Sequence, residues 1–208
     1  MGKEITQSKM MSILDWGYDK AVNGVPGLDS AQELAESYMS KGDCKLEQAN
    51  SLIRWQNTKA GTSGFLAGLG GVVTLPVALP ANITSVLYLQ IRMIAAIAHI
   101  GEHDLHDDRV KSLVYVCLTG NAAKDIMKGA GITVGTKLAT NAVKSIPGKV
   151  IVSINQKAGF RLITKFGEKG VINLGRAVPF FGGLIGGGFD VLSTNIIGNV
   201  ARNTFLEQ

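Results

Sequence analysis

"GFLAGLGGVVTLPVALPANITSVLYLQIRMIAAIAHIGEHDLHDD", residues 64 to 108, decides what kind of protein this chain makes. Residues 60 to 91 carry no charged side chain. That run exceeds the ~20 apolar residues that suffice to span a bilayer. Pro76 and Pro80 divide it. Each proline lacks a backbone donor and disfavours helix at the residue before it. The expectation is a short helix from about Ser63 to Leu75, a bend, and a second helix from about Ala81 to Ile100. At ~1.5 Å per residue the first piece is roughly 20 Å long, too short to cross. A buried hairpin at the heart of an all-α globule is the first reading, ahead of a re-entrant or interfacial hairpin and of a spanning helix. Gly64 and Gly68 have the spacing that lets another helix approach closely in any of these settings.

The theme returns in "AVPFFGGLIGGGFDVLSTNIIGNVARNTF", residues 177 to 205, where Gly182/Gly186 and Gly183/Gly187 repeat the four-residue spacing. Each apolar segment holds one isolated charge. Arg92 is the only charged residue between Lys59 and Glu102, and Asp190 the only one between Arg176 and Arg202. An isolated charge on an apolar helix needs water, an opposite charge or backbone partners. A buried Arg92–Asp190 pair linking the two segments is therefore expected. The alternatives are a functional polar spot in an apolar cleft, or two residues that both reach the surface.

Ahead of these segments the chain reads as amphipathic helices. Ile13, Leu14, Trp16, Gly17 and Ala21 share helical spacing. Asp29 or Ser30, with Glu33 three residues after Ser30, marks a helix start, and Gly42 a stop. A third helix carries Leu46, Ala49, Leu52, Ile53 and Trp55. After residue 108, apolar helix is expected over Val110–Ile126 and Ile132–Val143, then a break at Pro147–Gly148. "VIVSI", residues 150 to 154, is β-branched enough for a strand, but its neighbours favour helix. Strand alternation is otherwise weak, so the fold class is all-α: a compact multi-helix domain with two apolar Gly/Pro-rich helical segments. Residues 1–60 form N-terminal amphipathic helices continuous with a helical domain over 61–208.

The composition agrees. Only 18% of the 208 residues are charged, against about 25% in an average domain. Mean hydropathy is +0.20, and 26 residues are glycine. Such numbers exclude disorder and suit close-packed helices or membrane contact. Cys44 and Cys117 follow no ligand spacing and read as two buried reduced thiols. "MGKEITQSKMM" lacks the apolar core of a secretory signal and fits only the loose myristoylation pattern, through Gly2 and Thr6.

Four stretches, "GFLAGLGGVVTLPVALPANI", "LYLQIRMIAAIAHIGEHDL", "INQKAGFRLITKFGEKGVINLG" and "PFFGGLIGGGFD", resemble the EcsC protein family in content and order. The resemblance runs from about Leu14 to Phe205. The family's name comes from a bacterial gene beside ATP-binding-cassette transporter genes. The resemblance thus implies a bacterial cytoplasmic protein near a membrane process, and it implies no catalytic residue.

Charge distribution points the same way. From Lys124 to Arg176 there are ten Lys or Arg and two acids, Asp125 and Glu168, a net +8. A basic half without interleaved aromatics or a nucleic-acid motif favours anionic lipid over nucleic acid. Within it Lys157, Arg161 and Lys165 recur every four residues as a basic stripe, while Ile151, Ile154, Ala158, Leu162 and Phe166 occupy another face. His99, His103 and His106 lie at i, i+4 and i+7 among Glu102, Asp104, Asp107 and Asp108. On one continuous helix they would form a metal-ligand face. The competing reading is a solvated turn after Gly101, with Asp107 or Asp108 capping the next helix. "GFLAGLGG" is no phosphate loop, and no hydrolase, zincin or paired-cysteine motif is present.

The expectation is a non-enzymatic binding or structural protein without a cofactor, peripheral on the cytoplasmic face of the inner membrane through the basic helix and a Gly-rich apolar hairpin. Its partner is an anionic membrane surface or lipid, and a membrane protein is a further candidate. A soluble helical protein binding a lipid-like ligand or a partner helix is the alternative. A metal-dependent enzyme built on residues 99 to 108 comes third.

Overall fold

Local chemistry in the sequence sets where the helices begin and end. The computed structural model describes residues 6–60, 81–132, 140–166 and 184–206, excluding the side chains of 59–60, 81–85, 166 and 184–191. Nine α-helices follow among them: α1 (Gln7–Asn23), α2 (Ala31–Met39), α3 (Lys45–Ala60), α4 (Ala81–Ile100), α5 (Asp108–Leu118), α6 (Ala123–Lys128), α7 (Thr140–Lys144), α8 (Gly148–Phe166) and α9 (Leu184–Phe205). The described residues contain no strand, only an isolated bridge between Val25 and Leu28. The protein is all-α.

Ser30 caps α2 in a reciprocal box. Its hydroxyl accepts from the Glu33 amide at 3.2 Å, and the Glu33 carboxylate accepts from the Ser30 amide at 2.8 Å. Thr6 caps α1 and Asp107 caps α5 one way only, their side-chain oxygens accepting from the Lys9 and Arg109 amides with no return bond. Gly2, the other half of the lipidation pattern, lies outside the described residues.

Helix α4 is the centre. From Ile91 to Ile100 its apolar side chains are wholly buried on every side. A helix without a polar face is stable only when covered all round. Here α1, α2, α3, α5 and α9 cover it, and α9 also packs along α3. Two glycines permit the closest crossings. A Cβ on Gly17 of α1 would lie 2.8 Å from Ile91 Cδ1, and one on Gly198 of α9 would lie 2.8 Å from Ile53 Cγ1. No helix among the described residues is long and apolar enough to cross a membrane.

The end of α4 differs in mechanism from the expected glycine stop. The amides of Glu102 and His103 bond back to the carbonyls of His99 and Ala98, at 2.8 and 3.1 Å. That is the paired closure of a left-handed helix end. The left-handed residue is Glu102, with φ 63°. Gly101 is glycine for another reason: a Cβ there would collide with the backbone carbonyl of Phe205.

Other expectations need correction. The helix expected over Val110–Ile126 breaks after Leu118 into a 3₁₀ turn, Gly120–Ala122, followed by α6. The Thr119 hydroxyl bonds back to the Val116 carbonyl at 2.6 Å, and Gly120 takes φ 64°. Of the helix expected over Ile132–Val143 only α7 is described, because 133–139 lie outside the described residues. So do Gly64, Gly68, Gly182 and Gly183 and the helix expected over Ser63–Leu75; Gly186 and Gly187 fall within α9, but their surroundings are not described. Cys117 is buried, but Cys44 is exposed, because it sits on the surface connection between α2 and α3. Trp55 stands 47% exposed on the outer side of α3.

Replacing Gly198 with alanine weighs two effects against each other. Alanine favours a helix over glycine by up to ~1 kcal/mol, whereas overpacking costs about 1–3 kcal/mol. Net destabilisation in urea unfolding is expected, and Gly198→Ala should cost less in an Ile53→Ala background, where both γ carbons are gone. A Gly198→Ala variant as stable as wild type would contradict the close crossing.

Candidate functional site

The basic stripe lies on α8. Its inner side, Ile154, Ala158 and Leu162, is fully buried, and the helix packs on α1, α5 and α6. Gly159 allows the approach to α1, since a Cβ there would sit 3.1 Å from Met11 Sδ. The opposite side faces solvent with Val152 57% and Phe160 66% exposed.

The three cations are not equivalent. Lys157 Nζ donates to the Gly129 carbonyl at 2.8 Å, at the C-terminal cap of α6. Lys165 Nζ donates to the carbonyl of Leu118, the last residue of α5, at 3.3 Å, and to Ser193 Oγ at 3.4 Å. Both ammonium groups thus serve helix C-termini, where carbonyls lack partners and the dipole favours cations. Burial, and then the charge of Arg161, push Lys165 down to about 8. Arg161 is exposed, and its guanidinium makes no hydrogen bond or ion pair with the described residues.

Arg161 stands between two grooves. One, of about 560 Å³, is lined by Thr119, Asn121, Arg161, Lys165, Leu192 and Ile196 among others. The second, of about 450 Å³, includes Asp125, Lys157, Phe160 and Arg161. Leu192 is 65% and Ile196 37% exposed, so α9 adds apolar surface beside the cations. None of these apolar residues was among the expected site residues. Phe160 carried a signal, because it falls outside the inner-face spacing of Ile154, Ala158 and Leu162. Leu192 and Ile196 carried none without the packing of α9.

The histidines separate once α4 ends. His99 is half-buried in the last turn of α4, His106 is exposed, and His103 is buried. They line a cleft of about 380 Å³ with Glu102 and Asp104. Among the described residues no group of three or more His, Cys, Asp or Glu is placed to hold a metal ion. His103 Nε2 lies 3.2 Å from the Phe205 carbonyl, and the two rings meet edge-on at 5.1 Å. The expected capping by Asp107 is present, its carboxylate accepting from the Arg109 amide at 2.8 Å.

Arg92 is buried, and its described partner is a backbone group. Nη1 donates to the Asp29 carbonyl at 2.9 Å, and the guanidinium lies 5.9 Å from the centroid of the Tyr88 ring. Burial lowers its pKa, opposed by Tyr88 and Asp29. The Asp190 side chain lies outside the described residues.

No family model, no curated protein and no solved structure matches the chain.

His103 makes stability depend on pH. Burial lowers its pKa below the ordinary 6.5, the Phe205 carbonyl opposes this, and Lys45 adds to it. The unfolded chain therefore binds the proton better than the folded one. The stabilisation is complete above about pH 6.5 and is lost as pH falls toward the folded value. Urea unfolding from about pH 7 to about pH 5 is expected to show that loss, with a flatter dependence in His103→Asn. Equal slopes in both proteins would remove His103 as its source.

Proposed function

We propose that the protein is a non-enzymatic membrane-associated binding protein, held peripherally on the cytoplasmic face of the inner membrane by the outer side of α8 and the adjoining turn of α9. The observation that carries this reading is the exposure of Phe160 and Leu192 on either side of Arg161, whose charge is unengaged among the described residues. Stable attachment to a membrane usually needs two signals, one electrostatic and one apolar. This surface offers both. The net +8 between Lys124 and Arg176 adds a field that attracts an anionic leaflet. The resemblance to the EcsC family, with its transporter-adjacent namesake, points in the same direction.

Magnitudes rank the two signals. A cation near an anionic bilayer contributes about 1 kcal/mol and is screened within a Debye length. Full burial of a Leu or Phe side chain is worth about 1.5–3 kcal/mol. Lys157 and Lys165 already hold carbonyls, so their heads are less available than that of Arg161. Apolar insertion should therefore dominate affinity, and charge should set the lipid preference.

Flotation with vesicles tests this. Vesicles containing phosphatidylglycerol should bind the protein, phosphatidylcholine vesicles should bind it less, and salt should narrow the gap. Phe160→Ser with Leu192→Ser should weaken binding to both, whereas Arg161→Gln should reduce mainly the anionic preference. If the folded protein floats with neither vesicle type, membrane attachment fails and a soluble protein with a lipid-like ligand or partner helix takes its place.

A further inference from the structure

The larger groove joins features that a merely sticky surface does not need. Its described lining includes two cations, Arg161 and Lys165, and no carboxylate. Polar groups of Asn121, Thr164 and Ser193 surround them, and Leu192 and Ile196 form an apolar wall. Polar and apolar parts thus meet in one concave site, as an amphiphile with an anionic head requires.

We propose that this groove holds the headgroup of a single membrane phospholipid ending in a phosphate monoester, with Arg161 and Lys165 at the phosphate and Leu192 and Ile196 beside the start of an acyl chain. This deepens the peripheral-membrane reading and rests on it.

Charge complementarity selects the monoester. Arg161 and Lys165 are one helical turn apart on α8, close enough for Arg161 to disfavour the protonated form of Lys165. A dianion relieves that repulsion more fully than a monoanion. A phosphate monoester carries about −1.5 to −2 charges at pH 7 because its second pKa is about 6. A phosphodiester carries a single charge.

Geometry selects it again. The guanidinium fork of arginine takes two phosphate oxygens side by side. A monoester retains a third unesterified oxygen for the Asn121 amide, while a diester has none left. Thr164 is a lesser contributor, since its hydroxyl already donates to the Arg161 carbonyl at 2.7 Å. Lys165 acts through its charge at the groove wall, and nothing here requires it to release Leu118 or Ser193.

The test compares vesicles matched in surface charge, one set containing phosphatidic acid and the other phosphatidylglycerol, in a phosphatidylcholine background. The phosphatidic acid vesicles should bind roughly tenfold more tightly, the effect of about one extra charge-assisted hydrogen bond. Arg161→Lys keeps the charge but removes the fork. It should lose most of that preference while still binding phosphatidylglycerol vesicles and melting like wild type. Equal binding to both anionic vesicles overturns the groove and leaves the peripheral-membrane reading intact. Binding to neither overturns both. A third arm uses soluble glycerol phosphate: if it competes the protein off phosphatidic acid vesicles at the same phosphate concentration, the occupant is a free phosphate ester and the lipid assignment is overturned.

Discussion

From Ile91 to Ile100 helix α4 buries its apolar side chains on every side, and the helices around it are arranged by that condition. Five others must cover it, and their placement is held by the few polar groups it carries inside. Gln90 Nε2 reaches Thr194 Oγ1 on α9 at 3.3 Å, and Arg92 reaches the Asp29 carbonyl just ahead of α2 at 2.9 Å. A buried polar group left without a partner costs about 1–3 kcal/mol, while apolar contacts are tolerant of small rotations. Turning α4 about its axis would keep much of the apolar burial but would strand both groups. The hydrophobic effect therefore gathers the helices, and two polar contacts specify how they face one another.

The far end of α4 imposes a second restraint. There the backbone of α9 passes so close to Gly101 that no side chain fits, and His103 answers the Phe205 carbonyl that ends α9. The Cys117 thiol and the Thr204 hydroxyl meet nearby at 3.7 Å. The last turn of α9 is thereby tied to α5 and to the α4–α5 connection. A terminal carbonyl that would otherwise need water is satisfied inside the protein. The histidine cluster, which resembles a ligand set in one dimension, is divided by this arrangement. One member faces inward to a helix end, and another faces out.

What could be read from the residues alone follows the range of the interactions involved. At the end of α4 the Gly101 signal coincided with a stop that Glu102 makes, whereas the start was legible because the Pro80 signal acts on its immediate neighbours. The Ser30–Glu33 box and the Asp107 cap were legible for the same reason, each spanning two or three residues. The break at Thr119 was missed because a threonine hydroxyl competing for a carbonyl leaves no mark in apolar periodicity. Gly198 and Gly159 were missed because their partners, Ile53 and Met11, are far away in the chain. The same distance hid what Lys157 and Lys165 do. A four-residue spacing reveals that two lysines share a helix face, but not that carbonyls of Gly129 and Leu118 wait beside them.

That last point changes what the basic stripe means. Cations recruited to cap α6 and α5 anchor α8 against its neighbours, and Gly159 against Met11 fixes the rotation of α8 about its axis. Adjacent residues on a helix diverge by about 100°. With Ala158 buried and Gly159 pressed on α1, Phe160 has to point away from the core. A rotation that hid Phe160 would expose Leu162 and Ala158 and break both lysine contacts. The exposed phenyl ring is thus held out by the packing of the helix that bears it, with Arg161 beside it. An aromatic ring and a guanidinium unengaged among the described residues, presented together from a fixed helix, form a preorganised surface, which loses less conformational freedom on binding than the same groups on a loop.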